Sequence, residues 1–450
     1  MIFLITLLGL GLRLISLNQS FWLDEATSAT VARNLSFGQI ITQFSPGDFH
    51  PPLYYLILKV WTLPLGVSEI STRSLSIVCA LISIWLIYLI GKTIKNKFAG
   101  YAAALLLATS PLFIYYSQEA RMYVLETLLV LTAVYLFINF LHKTNVATLI
   151  GLSFTMAFLG LADYLPLLIL PAFWLVALLS HKNKQWWLLF ISAHLILLLA
   201  FIWWSPIFIR QVSTGLGVKA ATPLWWQALG SNSFKELLLV PVKFIIGRIS
   251  FTNKIIYGLV AAVLGLIFGL AMLPVIKNIG KYKLIISWLL LPLGLAYLMS
   301  FFIPVFSYFR LLFILPAFYL LTAVEVRRYL YILIVINLLF SVIYLTSPKF
   351  QREDWRGASN FITAESQNQK AEALFVTDGQ MEGYRYYNHS VPSYGPSGFN
   401  LSYNLIWLSR YVQPIFDPGD KLRQDIETAG YQKIGEYDFN GVVVWKYEMK

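Results

Sequence analysis

The chain has 450 residues, of which 58% are hydrophobic and 12% are charged, and its formal net charge is +12. Soluble domains carry roughly 25% charged residues, so this composition excludes an ordinary soluble protein and predicts a multi-spanning membrane protein. The positive charge is expected from cytoplasmic loops and contact with membrane lipids, and nothing in the sequence resembles a nucleic-acid-binding module.

The apolar segments predict a mostly α-helical, polytopic fold with about eleven transmembrane helices, because a helix of about 20 apolar residues spans the hydrocarbon core. Segments near that length lie at 1–17, 72–90, 99–115, 122–140, 147–163, 165–180, 187–206, 252–275, 284–302, 309–326 and 329–346.

The loop charges predict the orientation in the plasma membrane. Lysines and arginines, but no carboxylate, occupy the connections at 91–98, 141–147, 181–186, 276–283 and 327–328. The positive-inside rule places these connections in the cytoplasm. With an odd number of spans, the N-terminus is then cytoplasmic and the C-terminal region is extracytoplasmic.

The first outer loop, residues 18–71, holds the acidic pair Asp24-Glu25. Only 9 of the 22 carboxylates precede residue 347, so two adjacent ones beside a membrane segment need a reason. Neighbouring side chains point in different directions, so we expect divided roles: one accepts a proton from an incoming hydroxyl and the other orients the acceptor. Alternatively, both acids only charge the start of a helix over 24–35.

The same loop presents an imidazole and two phenols near the membrane surface. Two prolines follow His50, exclude helix before themselves and start one at Leu53. His50, Tyr54 and Tyr55 are therefore candidate substrate contacts. A local hydrogen bond for His50 and an interfacial aromatic belt for the tyrosines are the alternatives.

Arginines recur where the outward-facing ends of spans are predicted, at Arg13, Arg73, Arg121 and Arg310. Four of them on the outer face oppose the positive-inside tendency and indicate an anionic target, such as a lipid-linked phosphate held by guanidinium groups. Each could instead reach lipid headgroups, and Arg121 could pair with the nearby Glu119.

No cofactor is expected. The five histidines are scattered, and no His-x-x-x-His or Cys-x-x-Cys spacing occurs. A divalent metal is possible but not favoured, since Asp24, Glu25 and Asp48 could supply oxygen ligands for Mg²⁺ or Mn²⁺. The sequence also has no glycine-rich phosphate loop, which argues against nucleotide sugars or ATP as donors.

The charge density rises after Pro348, where the other 13 of the 22 carboxylates lie. This change predicts a boundary near 347 and a small extracytoplasmic α/β domain over 347–450. Its expected elements are helices at about 356–366 and 418–429 and strands at 373–377, 431–438 and 441–447. The other long connection, the outer loop at 207–250, is expected to hold a surface helix or a flexible lid.

Taken in order, the motifs resemble a known family. They are the acidic pair, His50-Pro51-Pro52-Leu53-Tyr54-Tyr55, Thr72-Arg73-Ser74-Leu75-Ser76, and Ser110-Pro111 with Glu119-Ala120-Arg121-Met122-Tyr123. Together they are similar to the GT-C glycosyltransferases of the dolichyl-phosphate-mannose-protein mannosyltransferase and aminoarabinose transferase type. The resemblance implies a catalytic GT-C membrane domain over 1–346. It also implies inverting transfer of a sugar from a polyprenyl-phosphate carrier to a glycan, lipid or protein hydroxyl outside the membrane.

The resemblance also implies roles for individual residues. By position, Asp24 is the catalytic base and Glu25 its neighbour at the acceptor. His50 stands where the aminoarabinose branch has a phosphate-binding lysine, so the lipid phosphate would depend more on Arg73, Arg121 or Arg310. From the residues themselves, Tyr54 and Tyr55 are further candidates for the lipid-phosphate site, and Asp48 and Glu119 are possible acceptor-binding or supporting residues.

Two other classes of function remain open on the sequence. A transporter or flippase for lipid-linked sugars would use the same charged residues along a path, and it predicts related halves and charged positions in the middle of the bilayer, of which Glu126 is the main example. A membrane scaffold would tolerate the loss of both Asp24 and Arg121.

Overall fold

The computed structural model describes residues 1–230, 233–325, 329–367, 369–398 and 403–449. Arg327 and Arg328, assigned above to a cytoplasmic connection, lie outside these ranges. The first part of the chain is helical, and its α-helices are α1 Ile2–Leu14, α2 Leu23–Asn34, α3 Phe37–Gln39, α4 Leu53–Leu65, α5 Glu69–Ile94, α6 Lys97–Ala108, α7 Pro111–Ser117, α8 Tyr123–His142, α9 Val146–Ala162, α10 Leu170–Leu178, α11 Lys184–Ser192, α12 Leu195–Ala221, α13 Pro223–Ala228, α14 Phe234–Ile246, α15 Lys254–Met272, α16 Ile279–Met299, α17 Leu315–Ala323 and α18 Leu330–Thr346.

Fewer helices than expected are long enough to span a membrane. In the described ranges, four helical segments are long and apolar enough to cross a membrane: Glu69–Ile94, Tyr123–His142, Lys184–Ala221 and Lys254–Met299. A fifth is obtained if α6 and α7, which meet at 61°, form one broken span. The prediction of about eleven spans is therefore not confirmed. Several apolar runs instead form shorter helices, because prolines such as Pro171 and Pro316 begin new segments.

The outer connection predicted at 207–250 is mostly helical. Helix α12 continues to Ala221 because no proline interrupts it after Pro206, and the break comes only at Thr222 and Pro223. The apolar run 237–240 lies in α14, as a helix was predicted there. Residues 231 and 232 of this connection lie outside the described ranges.

Close packing of α5 on α6 fixes the helices around the α7–α8 turn. A Cβ atom on Gly100 would clash with the backbone oxygen of Tyr88, so only glycine fits there. Small residues at a helix contact allow backbones to approach in this way. Helix α8 packs on α5 as well, and the turn that carries Glu119 and Arg121 is thereby held over the first outer loop.

The C-terminal part is a small α/β unit. It contains α19 Trp355–Glu365, α20 Glu382–Tyr387, α21 Gln413–Phe416 and α22 Lys421–Thr428, with β1 Ala371–Leu374, β2 Ser393–Tyr394, β3 Leu405–Ser409, β4 Tyr431–Phe439 and β5 Val442–Met449. The strand order is β2-β1-β3-β5-β4, with β1 parallel to β2 and β3 and with β5 antiparallel to its neighbours. Apolar clusters cover both faces of the sheet.

The two longer predicted helices and the last two strands of this unit are confirmed, whereas β2, β3 and α20 were not predicted. Strand β3 is buried at all five positions. A strand buried on both faces shows no alternation of apolar and polar residues, so its sequence lacks the usual strand pattern. The first strand also begins two residues earlier than expected, at Ala371.

The α/β unit packs directly on α2. Phe21, Ala26 and Ala29 form a buried cluster with Tyr386 and Tyr387 of α20. The backbone N–H of Phe21 donates a 2.8 Å hydrogen bond to the hydroxyl of Tyr387. The helix that begins with the acidic pair is therefore held between the membrane helices and the C-terminal unit.

Candidate active site

A cavity of about 960 Å³ lies where the first outer loop, the α7–α8 turn and the C-terminal unit meet. Both the helical part of the chain and the C-terminal α/β unit contribute residues to its wall. Its ionisable or hydrogen-bonding lining residues include Trp22, Asp24, Asp48, His50, Tyr55, Tyr115, Glu119, Arg121, Asp163, Arg248, Arg310, Lys349, Arg352, Glu353, Gln380 and Tyr411. A large, mostly apolar cavity with a few converging polar groups is the usual form of a substrate site.

Asp24 lies in this wall, in the first turn of α2. Its side chain is 37% exposed, and its Oδ2 lies 3.6 Å from a terminal nitrogen of Arg121. Both acids of the pair do lie in the first helical turn, as the alternative interpretation required, but only Asp24 presents its carboxylate to the cavity.

Glu25 is fully buried and lies outside the cavity wall, so the role predicted for it at the acceptor is not supported. Its two oxygens accept hydrogen bonds from Arg73 Nε at 2.8 Å, Arg73 Nη2 and the backbone N–H of Ala120. Arg352 Nε lies 3.1 Å away. Burial would raise the pKa of Glu25, but Arg73 and Arg352 outweigh it, and the pKa is lowered. Glu25 is therefore a buried anion that holds three segments together.

Arg73 also holds neighbouring segments together, so the prediction that it binds the lipid phosphate is not supported. Beside its two bonds to Glu25, its guanidinium donates to the backbone oxygens of Leu17, Gln19 and Ser20. A guanidinium has five N–H groups, and these five bonds use the set. The side chain is fully buried and is not part of the cavity wall.

A connected set of polar groups surrounds Arg121. Its Nη1 donates to the hydroxyl of Tyr55 at 3.2 Å, and that hydroxyl donates to Asp48 at 2.8 Å. His50 lies between two carboxylates, 3.6 Å from Asp48 and 3.8 Å from Asp163. Burial would raise the pKa of Asp48, but His50, Arg121 and the Tyr55 hydroxyl outweigh it and lower the pKa to about 2.

The other predicted residues divide between wall and interior. Arg310 lines the cavity and donates to the backbone oxygen of Pro304 at 2.7 Å. Tyr54 is buried and does not line it. Arg13 is fully buried and bonds to Ser117 and two backbone oxygens.

Glu119 lines the cavity but is paired with Arg352 at 3.2 Å, while Arg121 pairs with Asp24. The alternative pairing of Arg121 with Glu119 is therefore not the one observed. Burial raises the pKa of Glu119 to about 7; Glu25 adds to the rise, while Arg352, Arg248 and Arg121 oppose it.

Sequence reasoning missed several residues of the wall. Arg248 and Arg352 both contact the Tyr115 ring, with their guanidinium carbons 4.7 Å and 4.5 Å from its centre. Glu353 and Tyr411 come from the C-terminal unit. Arg352 and Glu353 belong to the charged run at 352–356. That run predicted the start of a domain, but it did not show which part of the membrane helices the domain packs against.

Some polar atoms of the wall are buried and have no hydrogen-bond partner among the described residues: Trp22 Nε1, His50 Nδ1, Glu119 Oε1, Arg121 Nε and Arg352 Nη1. Buried polar groups are rarely left without a partner. Water or a polar ligand in the cavity can satisfy these donors and acceptors. Within the described ranges, no three His, Cys, Asp or Glu side chains come close enough to hold a metal ion.

Comparison with known proteins gives a match of part of the chain to one family and solved structures with a similar fold. The family described as dolichyl-phosphate-mannose-protein mannosyltransferase matches residues 49–209, and the resemblance inferred from the motifs is thereby confirmed. No curated protein matches the chain by sequence.

Among solved structures, the oligosaccharyltransferase of Archaeoglobus fulgidus with zinc and sulfate is 10% identical at a TM-score of 0.55, over 99% of this chain and 72% of that one. The same enzyme with an inhibitory peptide and a dolichol-phosphate is 11% identical at 0.51, over 99% and 73%. ArnT from Cupriavidus metallidurans is 14% identical at 0.49, over 98% and 97%.

Proposed function

We propose that this integral membrane protein is a glycosyltransferase that moves a sugar from a polyprenyl-phosphate carrier to an acceptor hydroxyl on the outer face of the membrane, with inversion. The observation that carries the proposal is the placement of Asp24. Its partly exposed carboxylate lies 3.6 Å from Arg121, in a cavity that further arginine side chains line. The family match and the dolichol-phosphate bound by the similar oligosaccharyltransferase support a lipid-linked donor.

In this reaction Asp24 acts as the base. The acceptor oxygen attacks the anomeric carbon as its proton passes to a carboxylate oxygen of Asp24, and the bond from that carbon to the phosphate oxygen breaks. Arg121 Nη2 lies 3.6 Å from the Asp24 carboxylate, close enough to orient it towards the acceptor hydroxyl. Glu25 acts at a distance, because its buried bonds fix the start of the helix that carries Asp24.

The departing polyprenyl phosphate is an anion, and the cavity offers Arg121, Arg248 and Arg310 to stabilise it. His50 is a weaker candidate than the sequence suggested, since two carboxylates flank it. Arg73 has no free donor for this task. The phosphate is therefore expected at the arginine-rich part of the wall and the sugar between that part and Asp24.

The proposed orientation follows from the loop charges, with a cytoplasmic N-terminus and an extracytoplasmic C-terminal unit. This arrangement places the cavity, and hence the transfer, outside the membrane. The acceptor class that the family resemblance implies is a hydroxyl of a glycan, a lipid or a protein.

The test is Asp24→Asn, with the exposed Asp425→Asn on α22 as the matched control. Purified protein in nanodiscs is given a panel of undecaprenyl-phosphate sugars and envelope extract from a strain lacking the gene, and products are identified by mass spectrometry. Asp24→Asn should lower turnover about 10²- to 10⁴-fold, as expected for loss of a general base, while donor binding and the unfolding midpoint stay unchanged. Turnover near the control value would remove Asp24 from the mechanism.

A further inference from the structure

The C-terminal unit forms one side of the cavity. Arg352, Glu353, Gln380 and Tyr411 line it together with Asp24. These residues lie more than 300 positions beyond Asp24 in the chain. A unit that only braced the outer surface would not need polar side chains in the substrate cavity.

Buried ion pairs of Arg352 fix the start of the C-terminal unit against α2 and the α7–α8 turn. Arg352 Nε lies 3.1 Å from Glu25 Oε2, and Arg352 Nη2 lies 3.2 Å from Glu119 Oε2, with all three side chains at most 1% exposed. Asp24 and Glu353 are the sequence neighbours of the paired residues. Because the pair aligns the segments, both neighbouring carboxylates lie in the wall of the same cavity.

The carboxylate of Glu353 is held in place but retains capacity to bind a ligand. Trp355 Nε1 donates to its Oε2 and the Tyr411 hydroxyl to its Oε1, each at 3.0 Å. A carboxylate has about four acceptor positions, so each oxygen can accept one more hydrogen bond. Burial raises the pKa of Glu353 and the charge of Asp24 adds to the rise, while Trp355, Tyr411 and Arg248 oppose it.

The indole N–H of Trp22 supplies a complementary donor. It is buried, belongs to a residue of the cavity wall and has no partner among the described residues. Trp22 precedes Asp24 by two positions. The cavity that Asp24 lines thus also contains Trp22, whose indole N–H is unpaired among the described residues, and Glu353 of the C-terminal unit, whose carboxylate is held in place.

We infer that Glu353, with Tyr411 and Trp22, forms the acceptor subsite beside Asp24, and that the acceptor is a saccharide. This inference rests on the proposed function. The anionic donor phosphate would be repelled by Glu353, so this carboxylate suits the neutral reactant. Two free acceptor positions on one rigid carboxylate match two neighbouring ring hydroxyls, whereas a serine or threonine side chain presents only one.

The test compares Glu353→Gln with Glu436→Gln, a carboxylate that is 56% exposed on β4 and outside the cavity wall. Full-length protein in nanodiscs is given the undecaprenyl-phosphate sugar that the unaltered protein uses, with a panel of methyl glycosides or a serine- and threonine-containing peptide as acceptor. We expect transfer to a methyl glycoside and not to the peptide. Glu353→Gln should raise the apparent KM for the glycoside about tenfold or more and leave the KM for the donor within about twofold.

Tyr411→Phe is the second variant, because it removes one donor to Glu353 without touching the carboxylate. It should raise the glycoside KM about two- to fivefold, at an unchanged donor KM. Unfolding midpoints of all variants identify any loss of fold. An unchanged glycoside KM in folded Glu353→Gln, or transfer to the peptide alone, would overturn the inference while leaving the transferase proposal intact. Failure of the unaltered protein to use any donor would instead remove the proposed function, and this inference with it.

Discussion

Replacement of Glu119 by glutamine tests the electrostatics of the cavity wall. Glu119 is 1% exposed, its Oε2 accepts from Arg352, and Glu25 shares the same arginine. Burial, with the charge of Glu25, raises the pKa of Glu119 from 4.5 to about 7 against the opposing arginines. A difference of that size corresponds to about 3 kcal/mol of interaction that favours the protonated form.

The sign of the pH dependence follows from proton uptake. Between pH 4.5 and about 7 the folded protein binds a proton at Glu119 that the unfolded chain has lost, so stability from this group falls as pH rises through that window. Glutamine does not titrate. The unfolding free energy of Glu119→Gln minus that of the unaltered protein should therefore rise by about 3 kcal/mol from pH 4.5 to pH 8. Any pH-independent effect of the substitution shifts this difference equally at every pH and does not change the rise.

The measurement is chemical unfolding of both proteins in nanodiscs at half-unit steps from pH 4.5 to pH 8. Glu436→Gln on the exposed edge of the sheet is the control, and it should give a nearly flat difference because that carboxylate is largely in water. A flat difference for Glu119→Gln as well would show that Glu119 is ionised throughout, and the reasoning on its burial would fail.

Two further substitutions test packing and ion pairing. Arg352→Met leaves Glu25 and Glu119 without their shared cation and should cost about 3–5 kcal/mol of unfolding free energy, whereas Arg423→Met on the surface should cost at most about 1 kcal/mol; similar losses for both would contradict the buried pairing. Gly247 has φ +67°, and a Cβ there would lie 3.1 Å from Pro111 Cβ, so Gly247→Ala should cost about 1–2 kcal/mol. Gly258→Ala, in open space on α15, should instead be neutral or stabilising by up to about 1 kcal/mol in the same unfolding assay.

Local sequence patterns predicted much of the fold. Hydrophobic runs indicated a helical membrane protein, the two prolines after His50 indicated the start of α4 at Leu53, and the strand patterns predicted at 431–438 and 441–447 correspond to β4 and β5. These features depend on backbone chemistry and near neighbours, which the sequence displays directly. The predicted number of about eleven spans is not confirmed, because apolar composition does not show where a proline ends one helix and begins another.

The candidate site was predictable only in part. The acidic pair in the first outer loop, the histidine and Arg121 were identified from their residue types, and the structure brings Asp24, His50 and Arg121 to one cavity. Which member of an adjacent pair faces that cavity depends on the direction of α2 against its neighbours. The sequence predicted Glu25 beside the acceptor and Arg73 as a candidate phosphate ligand, whereas packing buries both side chains and pairs them with each other.

Sequence by itself thus determined the class of protein, the membrane location and the chemistry available to the first outer loop. Only the tertiary structure decided which of those groups can meet a substrate, and it added Arg248, Arg352 and Glu353 from distant parts of the chain. The physical reason is the separation in sequence between the residues that make contact. Helix and strand patterns arise within a few residues, but the pairing of Glu25 with Arg352 joins positions more than 300 residues apart, and no local pattern encodes that contact.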